Sequence, residues 1–368
     1  MNLYQGIIAL FVLILLENLI NSLFYQNKPP WRHIIDNLNS GHILLWMFRG
    51  VEILVYNWCF LSFSTDLVTE FLPNWAVWLS AFFLWDFCFY WLHRLHHSIP
   101  VLWAVHEVHH DADHFDLSLG VRNSWYSSLT SIPFFLIMAI MGYPLKVFIL
   151  IGAIHYFVQF YNHNNLIKNS GILEYFMVTP SLHKVHHGTN EIYINKNCGG
   201  TLNIWDKMFG TFQPEIPEEP IKLGISEPLL RANPFLVNNI PLLNFLKVRV
   251  NQINRDPAKI KLPIYLISSG GLILFGEFIY FIYMQEYYTF SHLSPLFTVI
   301  FLASIINSAM LDGARWSAPC WIGIVMINLI ITYVVYASHI LLILFALLLV
   351  IHGLIVLRSY LSRKILTL

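Results

Sequence analysis

Charged residues are scarce in this chain. Lysine, arginine, aspartate and glutamate make up only 11% of its 368 residues, whereas soluble domains average about 25%. The formal net charge is zero, so no basic excess predicts a nucleic acid partner. With 57% hydrophobic residues, this composition excludes an ordinary soluble domain and predicts a multispanning membrane protein.

Paired cysteines and repeats are also absent. The four cysteines are scattered and form no Cys-x-x-Cys pair, which excludes a disulfide framework and favours unpaired, apolar roles. The sequence has neither an internal repeat of whole domains nor a low-complexity tract. The first apolar run has no basic segment before it and no small-residue cleavage site, so we expect a retained helix and not a signal peptide.

Long apolar runs are present instead. Their lengths predict an all-α integral membrane protein, a helical bundle of about seven to nine spans. The fourth and fifth runs are short for full crossings and predict a membrane hairpin. The nine runs cover residues 4–24, 43–63, 75–92, 127–141, 145–160, 264–284, 295–311, 319–336 and 338–357.

Polar stretches divide the chain into four predicted parts. The second part is a catalytic core rich in histidine, and the third ends in a helix, at 235–250, that is expected to lie on the membrane surface. The parts are N-terminal membrane spans at 1–92, a histidine-box core including the membrane hairpin (about 125–160) at 93–215, a linker and interfacial helix at 216–262, and C-terminal membrane spans at 263–368.

Basic residues fall on one side of the predicted bundle. If all nine runs cross, one set of connections holds most lysines and arginines, and the opposite set holds only Lys146. The positive-inside rule assigns the basic set, which includes the histidine-rich stretches, to the cytoplasm. We therefore expect a cytoplasmic active site, in the cell membrane of a bacterium or the endoplasmic reticulum of a eukaryote.

Histidine is abundant, and most of it is grouped. Each of three groups has histidines four residues apart with another at three, spacings that share one face of a helix. Imidazole suits zinc, copper, iron and nickel, and so many imidazoles predict two metal ions with open positions for oxygen. The groups read His93-Arg-Leu-His96-His97, His106-Glu-Val-His109-His110 and His183-Lys-Val-His186-His187.

Eight of the grouped histidines are candidate metal ligands, with His163, just past a membrane segment, as a ninth. His96 and His114 are left out of this set and are expected to support the ligands or to face solvent. His155 lies inside an apolar run, where a functional role and a hydrogen-bonded structural role both stay open. The eight are His93, His97, His106, His109, His110, His183, His186 and His187.

A binuclear metal oxygenase acting on a lipid accounts for both the imidazoles and the membrane location. Two alternatives stay open. The segment His106-Glu107-x-x-His110 also satisfies the zinc peptidase motif, with Glu107 as general base, but it leaves most of the grouped histidines unexplained. A metal-binding membrane protein or transporter without oxygenase chemistry should carry polar ligands deep inside several spans, and the late runs are poor in them.

The histidine groups and their flanks resemble the fatty acid hydroxylase and sterol desaturase superfamily, whose members are membrane di-iron enzymes. The resemblance covers about residues 31–215. It implies two iron ions, O2 as oxidant, and hydroxylation or desaturation of a lipid, with the eight grouped histidines as ligands and His163 matching an extra histidine ahead of the last group. The flanks that carry it are residues 85–94, 179–190, 195–200 and 204–212.

Within the superfamily, the motifs are most similar to alkylglycerol monooxygenases and their bacterial relatives. This resemblance implies ether-lipid cleavage with tetrahydrobiopterin as the reductant, whereas other superfamily members take electrons from a ferredoxin or a small haem protein. Both kinds of reductant stay open. The chain departs from the pattern at Ser98, where the alkylglycerol enzymes carry an acidic residue after the first histidine group.

Acidic residues near the histidine groups are candidate catalytic or supporting residues. Asp86 lies two helical turns before His93 and is expected either to accept a hydrogen bond from a ligand imidazole or to pair with Arg94 or Arg122. The candidates are Asp86, Glu107 and Asp206.

Overall fold

The computed structural model describes residues 3–26, 28–39, 42–65, 67–225, 232–248 and 261–365. Within these ranges the chain is helical, with two short 3₁₀ turns (Leu119–Val121 and Gly171–Tyr175) and one isolated bridge between Met177 and Leu202. The α-helices are α1 Leu3–Phe24, α2 Trp31–Leu38, α3 His42–Phe63, α4 Leu67–Phe71, α5 Asn74–Ser98, α6 Pro100–His110, α7 Ser127–Ile140, α8 Leu145–Tyr161, α9 Pro180–His186, α10 Ile204–Phe209, α11 Pro234–Phe245, α12 Ile264–Met284, α13 Phe290–Leu311, α14 Ser317–Val335 and α15 Ile340–Ile365.

Seven helices of the described chain are long and apolar enough to cross a membrane, and the shorter apolar helices α7 and α8 accompany them. At 1.5 Å per residue, about twenty residues match the ~30 Å hydrocarbon core of a bilayer. The predicted all-α membrane class is therefore confirmed, and the fourth and fifth apolar runs are the short pair. The candidate spans are Tyr4–Phe24, Leu44–Phe63, Asn74–Ser98, Ile264–Met284, Phe290–Leu311, Ser317–Val335 and Ile340–Ser362.

The chain packs as two compact units. One comprises residues 45–228 and contains α4 to α10 with most of α3, and the other comprises residues 1–44 and 229–368. All of the grouped histidines belong to the first unit. The four-part division drawn from the sequence stays a prediction.

Helix α5 is the axis of the first unit and packs against α6, α7 and α8. Trp85 is buried on this helix, with its ring centroid 4.8 Å from that of Phe135 and 4.5 Å from that of His155. Such aromatic pairs stabilise a core beyond the area that they bury. This packing fixes the last turns of α5, which carry His93 and His97.

A proline sets the turn between the first two histidine groups. Helix α5 ends at Ser98 because Pro100 disfavours the helical conformation at Ile99, whose backbone is extended with φ −104° and ψ 119°. Pro100 then occupies the first turn of α6, where its missing N–H leaves no hydrogen bond unmade. The reversal packs α6 against α5, so the two histidine groups meet.

In the second unit, α12 packs against α1, α2, α13 and α15. The late spans, expected to be poor in polar ligands deep inside them, do hold buried polar side chains. Glu277 of α12 is fully buried, and both of its carboxylate oxygens accept from Asn328 Nδ2 at 2.9 Å, while Asn307 is buried on α13. Helix α11 covers residues 235–245 of the predicted interfacial segment, of which residues 249 and 250 lie outside the described residues, and its position on a membrane surface stays a prediction.

Candidate metal centre

The nine predicted histidine ligands converge in two clusters. Within each cluster, one ring nitrogen of every histidine lies within 4.8 Å of the others. The two clusters adjoin, since the ring centroids of His110 and His187 are 4.4 Å apart. Cluster A contains His93, His97, His106, His110 and His186, and cluster B contains His109, His163, His183 and His187.

Helical spacing explains how one motif serves both clusters. In α6, His106 and His110 at positions i and i+4 point into cluster A, while His109 at i+3 points into cluster B. Consecutive residues differ by about 100° around a helix, so the i+3 side chain diverges from its i+4 neighbour. The last group exchanges the roles, with its i and i+4 pair in cluster B and His186 in cluster A.

The first group contributes to cluster A alone. His93 and His97 enter the cluster, whereas His96 turns toward α7, where its Nε2 lies 2.9 Å from Thr130 Oγ1 and its Nδ1 donates to the backbone one turn earlier. Cluster B instead receives His163, which follows α8. His96 is buried and lies outside both clusters, so it does not face solvent, and its supporting role stays a prediction.

Backbone carbonyls determine which nitrogen carries the proton in four of these rings. Nδ1 of His93, His109, His163 and His186 each lies 2.8 Å from a carbonyl oxygen. A carbonyl only accepts, so each Nδ1 donates and each neutral ring keeps its lone pair on Nε2, as a metal requires. Nε2 of His97 and of His186 is buried without a hydrogen-bond partner.

Inward nitrogens crowd together in both clusters. Neighbouring Nε2 atoms lie about as close as a hydrogen bond allows, so each close pair needs a shared proton or cation. The pairs are His93 with His106 (3.0 Å), His106 with His110 (3.2 Å), His109 with His163 (3.2 Å), His163 with His183 (3.1 Å) and His183 with His187 (3.3 Å). An all-imidazole donor set of this kind fits iron, zinc, copper or nickel.

Burial keeps the cluster histidines neutral. It lowers the pKa of His109 and of His186 to about 4. It also lowers the pKa of His106, His110 and His187 well below the ordinary value, and neighbouring imidazoles add to that effect. Because only a neutral imidazole binds a metal, these rings are in the ligand form at pH 7.

A loop after the last histidine group supplies two of the carbonyls. Lys196 O accepts from His186 Nδ1, and Cys198 O accepts from His93 Nδ1. Both contacts serve cluster A, although His93 lies on a helix 105 residues earlier in the chain. Hydrogen bonds of this kind hold a ligand ring in the orientation that the metal needs.

Left-handed backbone shapes this loop. Asn195 and Asn197 have φ of +59° and +51°, a region that asparagine adopts more readily than most residues. Asn197 Nδ2 donates to Leu182 O at 2.9 Å and to Gln213 O at 2.7 Å, which ties the loop to its surroundings. A Cβ on Gly199 would lie 2.6 Å from a backbone carbonyl, so the close approach there requires glycine.

Asp206 holds the same loop through hydrogen bonds to its backbone. Its carboxylate accepts from the N–H groups of Cys198 at 2.7 Å and Gly199 at 2.9 Å, and from Thr211 Oγ1 at 2.7 Å. The Gly199 N–H and the Cys198 carbonyl belong to one peptide unit, and that carbonyl accepts from His93. The carboxylate therefore acts on the ligand through this single peptide unit. Asp206 therefore holds the peptide whose carbonyl contacts His93 of cluster A.

Asp86 makes different contacts from those expected. Its carboxylate accepts from Thr201 N at 2.9 Å, from Leu202 N at 3.0 Å and from Trp205 Nε1 at 2.9 Å, and it lies 3.5 Å from His155 Nδ1. Neither a ligand imidazole nor an arginine is among these partners, because two helical turns place Asp86 about 10 Å below the first ligand. It anchors the end of the loop.

Arg122 holds cluster B. Its carbonyl accepts from His109 Nδ1 at 2.8 Å, and its Nε donates to Val108 O at 2.7 Å. Its guanidinium lies 3.5 Å from the carboxylate of Asp111, so its acidic partner is Asp111 and not the expected Asp86.

Other predicted residues lie outside the clusters. Glu107 is half-buried on α6, and its carboxylate belongs to neither cluster. Ser98 Oγ donates to Arg94 O at 2.8 Å. His155 lies 2.6 Å from a threonine hydroxyl and 3.1 Å from a backbone carbonyl, which favours its structural role. His114 lies 3.6 Å and 3.9 Å from two aspartates.

Sequence reasoning missed the carbonyls that orient the ligands. Every residue has a carbonyl, so residue type did not single out Lys196, Cys198 or Arg122. The available signal was conformational: two asparagines that alternate with Lys196 and Cys198, whose carbonyls accept, followed by a Gly-Gly pair at 199–200, predict a tight loop beside the last histidine group.

Comparison with known proteins agrees with this geometry. Residues 78–211 match the family model described as fatty acid hydroxylase. The alkylglycerol monooxygenase of Xenopus tropicalis is 35% identical over 239 residues, which cover 63% of this chain and 52% of that protein. The alkylglycerol monooxygenase of Homo sapiens is 33% identical over 232 residues, 62% of this chain and 51% of that protein.

A bacterial protein is also similar. The ornithine lipid hydroxylase OlsE of Rhizobium tropici is 32% identical over 146 residues, which cover 38% of this chain and 43% of that protein. The chain spans about half the length of the curated relatives that it matches, and no solved structure matches it. Residues 78–211, which contain all nine clustered histidines, are thus a fatty acid hydroxylase domain, and the resemblance indicated by the histidine groups is confirmed.

Proposed function

We propose that this chain is a membrane di-iron oxygenase that hydroxylates or desaturates a C–H bond of a lipid with O2. The observation that carries the proposal is the pair of adjoining histidine clusters at the end of an apolar helix. Two imidazole-rich sites side by side suit a binuclear centre, and the apolar spans give a lipid access. The relatives named as lipid hydroxylases and alkylglycerol monooxygenases support the same chemistry.

Clusters A and B would each hold one iron ion, which when bound supplies the oxidation of a C–H bond by O2. The chain's own residues orient the ligands and exclude water. Trp103 packs on cluster A, with its ring centroid 5.3 Å from that of His97, and Phe115 packs on cluster B, 5.6 Å from His163. Exclusion of water protects a reactive centre from side reactions.

The proposal extends to an ether lipid as substrate, on the strength of the alkylglycerol monooxygenase relatives. Tetrahydrobiopterin is then the expected reductant, and a ferredoxin or a small haem protein is the alternative. Ser98 is the point at which this chain departs from those enzymes, so the reductant needs a direct test. The distribution of basic residues supports a site on the cytoplasmic side, in a bacterial cell membrane or the endoplasmic reticulum.

The peptidase alternative explains less of the site. His106 and His110 would be its ligands, yet they share cluster A with three more histidines, whereas a catalytic zinc keeps three protein ligands and a water. The alternative of a membrane metal-binding protein or transporter gains one observation from the buried pair of Glu277 and Asn328. That alternative assigns no chemical reaction to the two histidine clusters.

Metal content tests the proposal most directly. The full chain would be purified in detergent after anaerobic loading with ferrous iron, beside a His186→Ala variant and a His292→Ala control that removes an exposed imidazole of the other unit. We expect one iron per cluster in the wild-type protein and in the control, with loss of iron in His186→Ala.

Turnover completes the test. The iron-loaded protein would be given alkylglycerol, ornithine lipid and fatty acid substrates, each with tetrahydrobiopterin or reduced ferredoxin, and products followed by mass spectrometry. Incorporation of oxygen or loss of two hydrogens supports the proposal. A single zinc that is insensitive to His186→Ala, with peptide hydrolysis that Glu107→Gln abolishes, would establish the peptidase instead.

A further inference from the structure

Two short segments on either side of the last histidine group expose large apolar side chains. The 3₁₀ turn Gly171–Tyr175 precedes α9, and α10 follows the loop at 195–203. The exposed fractions are 74% for Ile172, 76% for Tyr175, 48% for Phe176, 44% for Ile204 and 63% for Met208. We call these five residues the apolar patch, and exposed apolar surface of this kind marks an interaction site.

Hydrogen bonds join the two segments into one surface. Asn203 N donates to Phe176 O at 3.1 Å, and Asn203 Nδ2 donates to Glu174 O at 2.7 Å. Lys207 Nζ donates to Tyr175 O. The apolar patch is thus a rigid feature of the folded unit and not a pair of independent loops.

The depth of the patch identifies its partner. Helix α10 packs on α5 through Trp205, whose ring centroid lies 5.1 Å from that of Phe87, and through Phe209, whose ring centroid lies 5.1 Å from that of Trp91. Phe87 is six residues before His93, or about 9 Å along the helix at 1.5 Å per residue. Phe87 therefore lies within the apolar part of the candidate span Asn74–Ser98.

We infer that the apolar patch enters the surface of the bilayer that the spans cross. Phe87 lies five residues before the end of the apolar run at 75–92, or about 7.5 Å at 1.5 Å per residue, which is within the depth of about 5–10 Å that interfacial apolar side chains reach. A protein partner approaching from water would meet the histidine-bearing end of the unit first. The charged side chains at these segments also suit a lipid surface. Lys168 and Lys207 are exposed, whereas the carboxylate of Glu174 accepts from Ser181 Oγ at 2.8 Å.

The inference gives the patch a role in placing the metal centre. The two segments flank α9 and the loop at 195–203, so their attachment to lipid holds the last histidine group at the membrane surface. A lipid could then reach the clusters without leaving the bilayer. This consequence rests on the proposed function, whereas the position of the patch in the bilayer does not.

Spin-label accessibility tests the position directly. Cys320 is the exposed cysteine among the four, so a Cys320→Ala background leaves only buried native thiols. A nitroxide would be attached after Ile172→Cys or Met208→Cys substitution, with Glu218→Cys as the control on an exposed polar segment. The labelled full chain would be placed in nanodiscs of phosphatidylcholine and phosphatidylglycerol.

We expect the labels at 172 and 208 to collide several-fold more often with O2, which concentrates in lipid, than with a water-soluble nickel chelate. The control label should show the reverse. Preference for the nickel chelate at both patch positions would overturn the inference, and so would dipolar broadening that shows a second copy covering the patch. Neither readout needs turnover, so failure of the proposed activity would not imitate failure of this inference.

Discussion

His93 Nδ1 donates to the carbonyl oxygen of Cys198 across 2.8 Å, although the two residues are 105 positions apart. The contact fixes the tautomer of a predicted ligand and makes cluster A depend on a loop that carries no ligand itself. Asp206 holds that loop, because it accepts from the N–H of the same Cys198. Metal binding should therefore respond to substitutions outside the histidine groups.

Replacement of Asp206 by asparagine should weaken cluster A. Asparagine offers one acceptor oxygen in place of two, so Cys198 N or Gly199 N would lose its partner, at a cost of about 1–3 kcal/mol for a buried donor. We expect iron content to fall toward one ion per chain, with a lower Tm. The control is Asp113→Asn, whose side chain is 78% exposed. A lower Tm with full iron content would contradict the positioning role.

Adjacent histidines should behave differently. His97→Gln removes a cluster A ligand, whereas His96→Gln replaces a ring that bonds Thr130 and the backbone. We expect His97→Gln to lose iron from cluster A and most activity, and His96→Gln to keep its iron with a modestly lower Tm. Elemental analysis of both variants measures their iron content. Equal iron loss in the two would remove the distinction between ligand and support.

A single methyl group at Gly199 should disturb the loop. Its Cβ would lie 2.6 Å from Leu202 O and 2.7 Å from Asp206 Oδ2, so the backbone or the carboxylate must shift. Forced overpacking of this kind costs about 1–3 kcal/mol. We expect Gly199→Ala to lower both Tm and iron content. Gly50→Ala is the control, since nothing lies within 4 Å of that Cβ and alanine favours the helix; equal effects would refute the argument.

Acid should destabilise the metal-free protein. Burial lowers the pKa of His109 and of His186 to about 4, below the ~6.5 of an unfolded histidine. Between these values the unfolded chain binds more protons than the folded one, so stability is complete above about pH 6.5 and declines as the pH falls toward 4. Unfolding of chelator-treated protein should show a lower Tm at pH 5 than at pH 7. An unchanged Tm would show that these rings are not buried.

Loading with iron should oppose that decline. A ligand that binds only the folded state raises its stability, and protons compete with the metal for the same Nε2 atoms. We expect iron to raise Tm strongly at pH 7 and weakly at pH 5, as measured by thermal scans with and without chelator. A pH-independent increase in Tm would place the metal on groups other than the histidine clusters.

Much of the candidate site could be predicted from local spacing. Histidines at i, i+3 and i+4 identified eight residues that the structure brings together, because the helical period places such side chains near one another on each helix, and His163 was the ninth, identified by its place just past a membrane segment. His97 was predicted as a ligand, and His96 was predicted to support the ligands or to face solvent. Their difference depends on the position of Thr130 on α7, and no local pattern contains that information.

The membrane class, the helical spans and the donor set were predictable from the amino-acid sequence, because hydropathy and helical period act over short stretches of chain. The division of the nine histidines between two clusters, the carbonyls that orient them and the anchoring of a loop by Asp86 depend on long-range packing. Those relationships join residues such as Asp86 and Leu202, 116 positions apart. Contacts of that range depend on how packed helices return the chain to the same place, which residue type does not reveal.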